Sequence, residues 1–163
     1  MNRRALLSSV GFLGASSLAG CLDRFPLSRS TTLGRLTVSN HDGDAGHSFG
    51  LRVVRDGEVV HESSHAVDRM EGDQIPGSVA DCTWNPVAGR YVVSARVDEG
   101  DWNEFDLLKQ VEKSPDCVVA SVHYEPGPNT DQPVYVLVRA DCDRYAGAVG
   151  YCRTNGSNNS ERE

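Results

Sequence analysis

The chain is 163 residues long, 39% hydrophobic and 24% charged, a length and composition that fit one domain able to bury a core. Its formal net charge is −7, which excludes the basic footprint of a nucleic-acid-binding protein and electrostatic docking on anionic lipid heads.

The chain opens with Met1-Asn2-Arg3-Arg4, a weakly apolar run from Ala5 to Gly20, and then Cys21. That run is too short and too weakly apolar for a membrane span, which needs about 20 mostly apolar residues. It predicts a cleaved targeting signal over residues 1–20, set apart from the fold. Asn2-Arg3-Arg4-Ala5-Leu6-Leu7 resembles the twin-arginine export pattern of bacteria and archaea, with Arg3 and Arg4 as the paired arginines. Leu18-Ala19-Gly20-Cys21 resembles the lipobox of exported lipoproteins. That resemblance implies cleavage before Cys21, lipid on its sulfur, and residues 21–33 as a short tether.

Downstream the elements read as short strands. Leu36–Asn40 alternates, and residues 41–46 form a loop. Ser48–Arg55 and Glu58–Glu62 flank Asp56-Gly57, a strong hairpin signal because both central residues take positive φ. Ser78–Trp84 reads as a short strand carrying Cys82 toward the core. Arg90–Val97 is a strand with Tyr91, Val93, Ala95 and Val97 on one face. Residues 98–101 turn into a partner, Trp102–Leu107, with Trp102 and Phe105 as its large apolar groups. Leu108–Ser114 extends it or makes one helical turn. Cys117–Tyr124 and Val134–Arg139 complete a set of seven to eight short strands. The fold class expected is all-β: an antiparallel immunoglobulin-like β-sandwich over residues 34–142, followed by a C-terminal loop and disordered tail over 143–163.

With Cys21 assigned to lipid, Cys82, Cys117, Cys142 and Cys152 remain, an even number suited to an oxidising compartment. Of three possible connectivities, Cys82–Cys117 with Cys142–Cys152 is favoured. The first would staple two strand ends across the core, and the second closes a short loop at small entropic cost. A four-cysteine zinc site is disfavoured because Cys-x-x-Cys pairs are missing.

Arg52–Glu62, Cys82-Thr83-Trp84 and Gly89–Ala95 resemble the immunoglobulin-like domains of haloarchaeal exported lipoproteins, which share a charged hairpin, a Cys-x-Trp step and a Gly-x-Tyr-x-Val strand. The resemblance spans roughly residues 34–139 and implies a sandwich fold without implying an activity. Composition points the same way. Removing residues 1–20 takes away Arg3 and Arg4 and leaves 14 basic against 23 acidic residues, and the only lysines are Lys109 and Lys113. An acidic, lysine-poor surface resembles that of halophilic proteins.

The sharpest chemical motif is His61-Glu62-Ser63-Ser64-His65, which matches the zinc hydrolase pattern HExxH. That geometry needs a helix, whereas the motif starts within a strand set by Asp56-Gly57. On a strand His61 and His65 share a face but lie too far apart for one metal. The metzincin extension also fails at Asp68 and Glu71. His41, Asp42, Asp44 and His47 share a loop reminiscent of a calcium loop, yet Val53 stands where the bidentate glutamate belongs. Blue copper would need a cysteine between two histidines and an axial methionine; Met70 and the Cys117/His123 pair make a poor set. No Gly-x-Ser-x-Gly elbow occurs. Asn155 and Asn158 begin two glycosylation sequons. Trp84 and Trp102 are expected in the core.

The resulting expectation is a lipoprotein anchored to the cell membrane through Cys21 and facing outside. It would act as a non-catalytic binding or structural module with a possible envelope protein partner. No enzyme activity, cofactor, metal or nucleic acid is expected. The alternative is a zinc-dependent hydrolase using His61, Glu62 and His65.

Overall fold

The computed structural model describes residues 29–128 and 130–153. The export pair Arg3 and Arg4, the lipidation site Cys21 and the sequon residues Asn155 and Asn158 lie outside the described residues.

Eight strands occur among the described residues: β1 Thr32–Asn40, β2 His47–Arg55, β3 Glu58–Val67, β4 Gly77–Val79, β5 Tyr91–Val97, β6 Asn103–Asp106, β7 Cys117–Tyr124 and β8 Val134–Arg139. They form two four-stranded sheets, ordered β4-β1-β7-β8 and β3-β2-β5-β6. One apolar cluster joins them: Leu36 and Val38 of β1, Phe49, Leu51 and Val53 of β2, Tyr91, Val93 and Ala95 of β5, and Val118, Ala120 and Val122 of β7. This is an all-β sandwich. Period-two alternation puts every second residue of these strands inside, and each fully buried Val, Leu or Phe contributes about 1.5–3 kcal/mol.

Local chemistry explains several joints. Asp56 and Gly57 both have positive φ, at 52° and 87°, as the two-residue hairpin requires. Leu107–Lys109 makes one 3-10 turn, with the Asp106 side chain accepting from the Leu108 N–H at its start. Tyr91, at the head of β5, donates its hydroxyl to the Val87 carbonyl at 2.7 Å. This is the tyrosine-corner arrangement of immunoglobulin-like sandwiches. Trp84 is 1% exposed and donates its indole N–H to the Leu33 carbonyl at 2.8 Å, which satisfies its polar atom inside the core.

Four features depart from the expectations above. Every strand pair is antiparallel except β1 with β7, which is parallel; a parallel pair needs a long crossover, and here the chain between the two strands supplies it. β4 covers only Gly77–Val79, so Cys82 and Trp84 belong to a loop. β1 begins at Thr32 with Leu33 wholly buried, so the sandwich includes the last two residues assigned to the tether.

The fourth departure concerns the disulfides. They join Cys82 to Cys152 and Cys117 to Cys142, correcting the pairing Cys82–Cys117 with Cys142–Cys152. After β8 the chain doubles back along β1, where the Cys152 N–H donates to the Gly34 carbonyl at 2.8 Å. A Cβ at Gly34 would sit 3.0 Å from the Cys117 sulfur, 3.2 Å from the Tyr151 ring and 3.3 Å from the Cys142 sulfur. The bare glycine, at a register shift in β1, is what lets the C-terminal segment approach so closely. Cys152 is 3% exposed and part of the core cluster. Residues 143–153 are therefore part of the packed domain, and the boundary expected at 142 moves outward.

Candidate functional site

The HExxH residues lie on β3, an edge strand, and form no helix. A bulge in β3 sets their orientation: Val53 pairs with His61 while Val54 pairs with Val59, leaving Val60 as the extra residue. Val59 is then 53% exposed, Val60 packs on the core, and His61 is 7% exposed. From there His61, Ser63 and His65 pair with Val53, Leu51 and Phe49, the inward residues of β2. Glu62 pairs with Arg52 on the opposite face and bonds its guanidinium at 3.0 Å. The glutamate is thus separated from both histidines by the strand itself, contrary to the arrangement a zinc hydrolase needs.

The inward histidines belong to a continuous polar chain. Thr83 Oγ1 meets His61 Nδ1 at 2.6 Å, and His61 Nε2 meets Ser63 Oγ at 2.8 Å. Ser63 Oγ meets His65 Nε2 at 2.8 Å, and His65 Nδ1 meets Ser78 Oγ at 2.8 Å. Because β3 and β4 belong to different sheets, this chain ties the sheets together along one open side of the sandwich. Burial pulls both imidazoles below their ordinary pKa; for His61 the neighbouring His65 adds to this, and Asp81 opposes it at both. Both rings therefore favour the neutral form, able to donate at one nitrogen and accept at the other as the chain requires. Ser63 holds one hydroxyl between two ring nitrogens, a tie rather than an activated nucleophile paired with a single oriented base.

A second group centres on His47. Its Nε2 meets Asp42 Oδ2 at 2.8 Å and its Nδ1 meets Asp98 Oδ2 at 2.7 Å. Burial opposes its protonation, but the two carboxylates outweigh burial and raise its pKa. Asp42 is lowered by His47 first and then by the Asp44 N–H, and Asp98 by the Ser48 N–H first and then by His47. The Asp42 Oδ1 accepts from the N–H groups of Asp44 and Ala45. Its oxygens are used inside the turn and on His47, the structural role of an acidic turn.

A third group joins the other two histidines. His41 Nε2 meets His123 Nδ1 at 2.8 Å, and His123 stacks on Tyr135 with ring centroids 5.1 Å apart. Burial lowers the His123 pKa, with His41 and Arg139 adding to it and Glu125 opposing. The disfavoured copper reading also lacks its cysteine: Cys117 is in a disulfide, so it offers no thiolate beside His123. Among the described residues no group of three or more metal-ligating side chains is suitably placed.

Trp84 is in the core as expected, and Trp102 is not. The Trp102 ring lies over Gly50 on the outer face of β2, between Phe49 and Leu51, which point inward; a Cβ at Gly50 would come within 3.2 Å of the indole. The guanidinium carbons of Arg52 and Arg96 sit 4.4 Å and 4.9 Å from the Trp102 ring centroid, within cation–π range. Beside the indole is a shallow pocket of about 150 Å³ walled by Ser48, Ser64, Arg96 and Asp98. The sequence offers one signal for this face: Gly50 leaves a gap among the outward positions of β2, which an aromatic from a neighbouring segment can fill. Scans against protein-family models, curated proteins and solved structures return no match.

Proposed function

We propose that this chain is an exported lipoprotein, held at the cell membrane by lipid on Cys21 and facing outside, whose sandwich serves as a non-catalytic binding or structural module of the envelope. One observation carries the reading. The five histidines are engaged in hydrogen bonds within the domain, while Trp102 lies half-buried on the outer face with two arginines in cation–π range beside a polar pocket. Among the described residues these ties hold every imidazole in a structural role, whereas an aromatic flanked by guanidiniums offers stacking and hydrogen bonding to a partner. Two disulfides support an oxidising location.

The test uses the full chain in a host with twin-arginine export. Cys21→Ser should release the protein from the membrane fraction, and Arg3→Lys with Arg4→Lys should block export. A photo-cross-linking residue at Ser64, beside Trp102, should give a discrete adduct with an envelope component, and Trp102→Ala should abolish it. Membrane retention of Cys21→Ser would overturn the anchor. A cross-linking pattern indifferent to Trp102→Ala would overturn the binding face.

A further inference from the structure

The opposite outer face, formed by β1, β7 and β8, carries a separate groove of about 190 Å³. Arg35, Val119 and Arg139 are register partners across these three strands, which places the two arginines on either side of Val119, about 10 Å apart by strand spacing. Val119 is 7% exposed yet stands outside the core cluster formed by Val118 and Ala120; it is the floor of the groove. One wall is Tyr145, in the 3-10 turn Asp143–Tyr145 that directly follows Cys142 and is held near β7 by the Cys117–Cys142 disulfide. Leu137, 43% exposed, lies along the opposite side, next to the hydrogen-bonded Thr37 and Ser121 hydroxyls.

The charge of this groove is out of character with the chain. Acidic residues outnumber Lys and Arg by 23 to 16, but no carboxylate lines the groove. Among the described residues Arg35 and Arg139 form no ion pair with Asp or Glu; their partners are neutral. Arg35 donates from Nε to the Val149 carbonyl at 2.9 Å and sits 5.7 Å from the Tyr145 ring centroid. Arg139 donates from Nη1 to the Tyr145 hydroxyl at 3.4 Å. Arg35 is thereby oriented through its Nε, with its terminal nitrogens uncommitted among the described contacts. Two oriented like charges over an apolar floor attract an anion, and the guanidinium fork matches a carboxylate.

We propose that this groove binds a carboxylate carried on an apolar or aromatic skeleton. The carboxylate would pair with Arg35 and Arg139, and its carbon frame would lie against Val119, Leu137 and Tyr145. A groove of about 190 Å³ suits one small acid or the terminal residue of a polypeptide. The site lies on the other sheet from Trp102 and stands or falls independently of that face.

Isothermal titration of the full exported chain, extracted in detergent with its disulfides intact, tests the proposal. The probes are phenylacetate, its neutral isostere phenylacetamide, inorganic phosphate, and an acetylated peptide ending in Phe with a free or amidated C-terminus. Phenylacetate or the free-acid peptide should bind, and their amides should bind at least tenfold more weakly. Arg139→Gln, at an exposed position, should weaken binding at least tenfold without changing the thermal midpoint, and Arg139→Lys should recover only part of it. Binding of the free acid alone would assign a small-molecule ligand, and binding of the peptide would assign a chain terminus; both uphold the carboxylate. Equal binding of the amides, phosphate binding as tight as phenylacetate, an indifferent Arg139→Gln, or no binding by either acid would overturn it.

Discussion

At the scale of single residues, the polar side chains that looked most chemical prove to be structural ties. His47 shows this most clearly. Its folded pKa is raised above the ordinary histidine value of 6.5, so the stability it adds is fully present below about pH 6.5 and is lost as pH rises through the raised value. His47→Gln should therefore cost more at pH 5.5 than at pH 9, measured as the gap in thermal midpoint between variant and parent. An equal gap at both pH values would mean that His47 is not charged in its pair with Asp42 and Asp98. Three other histidines push the parent the other way. His61, His65 and His123 have lowered pKa values, favour the neutral ring, and withdraw stability as pH falls below about 6.5. Taking the difference between parent and variant separates the two trends. Tyr91 offers a simpler check. Its side chain is fully buried and its hydroxyl donates to Val87, so Tyr91→Phe should lower the urea-unfolding free energy by about 1 kcal/mol with an unchanged slope.

At the scale of elements, one extra residue in β3 decides what the HExxH motif is. Without the bulge at Val60, strict alternation from the hairpin would turn His61 and His65 outward; with it they face Thr83 and Ser78 and bind the two sheets together. The strand and the shared face of the two histidines were legible from Asp56-Gly57 and the period of two. The bulge was not: it goes with Val60 packing on the core, a contact with distant residues that no local run specifies. The disulfides carry a quantitative expectation of the same kind. Cys82–Cys152 spans 70 residues and Cys117–Cys142 spans 25, so chain entropy assigns about 4.4 and about 3.5 kcal/mol to them respectively. Replacing the first pair with alanines should lower stability by about 1 kcal/mol more than replacing the second. Peptide mapping of the unreduced protein should yield the Cys82–Cys152 and Cys117–Cys142 peptides, and recovery of Cys142–Cys152 would refute this connectivity.

At the scale of the whole molecule, the two outer faces differ in chemistry. The β3-β2-β5-β6 face carries an indole with two arginines in cation–π range and Glu62 alongside, and the β1-β7-β8 face carries an arginine pair without a carboxylate in its groove. The surplus acid elsewhere makes the folded chain repel itself, and added salt shortens that repulsion from about 10 Å at 0.1 M to about 3 Å at 1 M. The thermal midpoint should therefore climb by several degrees between 0.1 M and 2 M sodium chloride. A flat or falling response in calorimetry would count against adaptation to high salt.

By itself the sequence determined what depends on neighbouring residues. The all-β class follows from period-two alternation, and β7 and β8 have the bounds read from it, Cys117–Tyr124 and Val134–Arg139. The Asp56-Gly57 turn follows from the steric permission of Gly and Asp for positive φ. Tertiary structure alone decided the partners: β1 parallel to β7, Cys152 against Gly34 and bonded to Cys82, Trp102 over Gly50 rather than in the core, and Arg35 and Arg139 across Val119. Each of these joins residues distant along the chain. Such contacts are selected by closing long loops over a shared core and by which side chains can approach a bare glycine, and neither is written in any local run of residues.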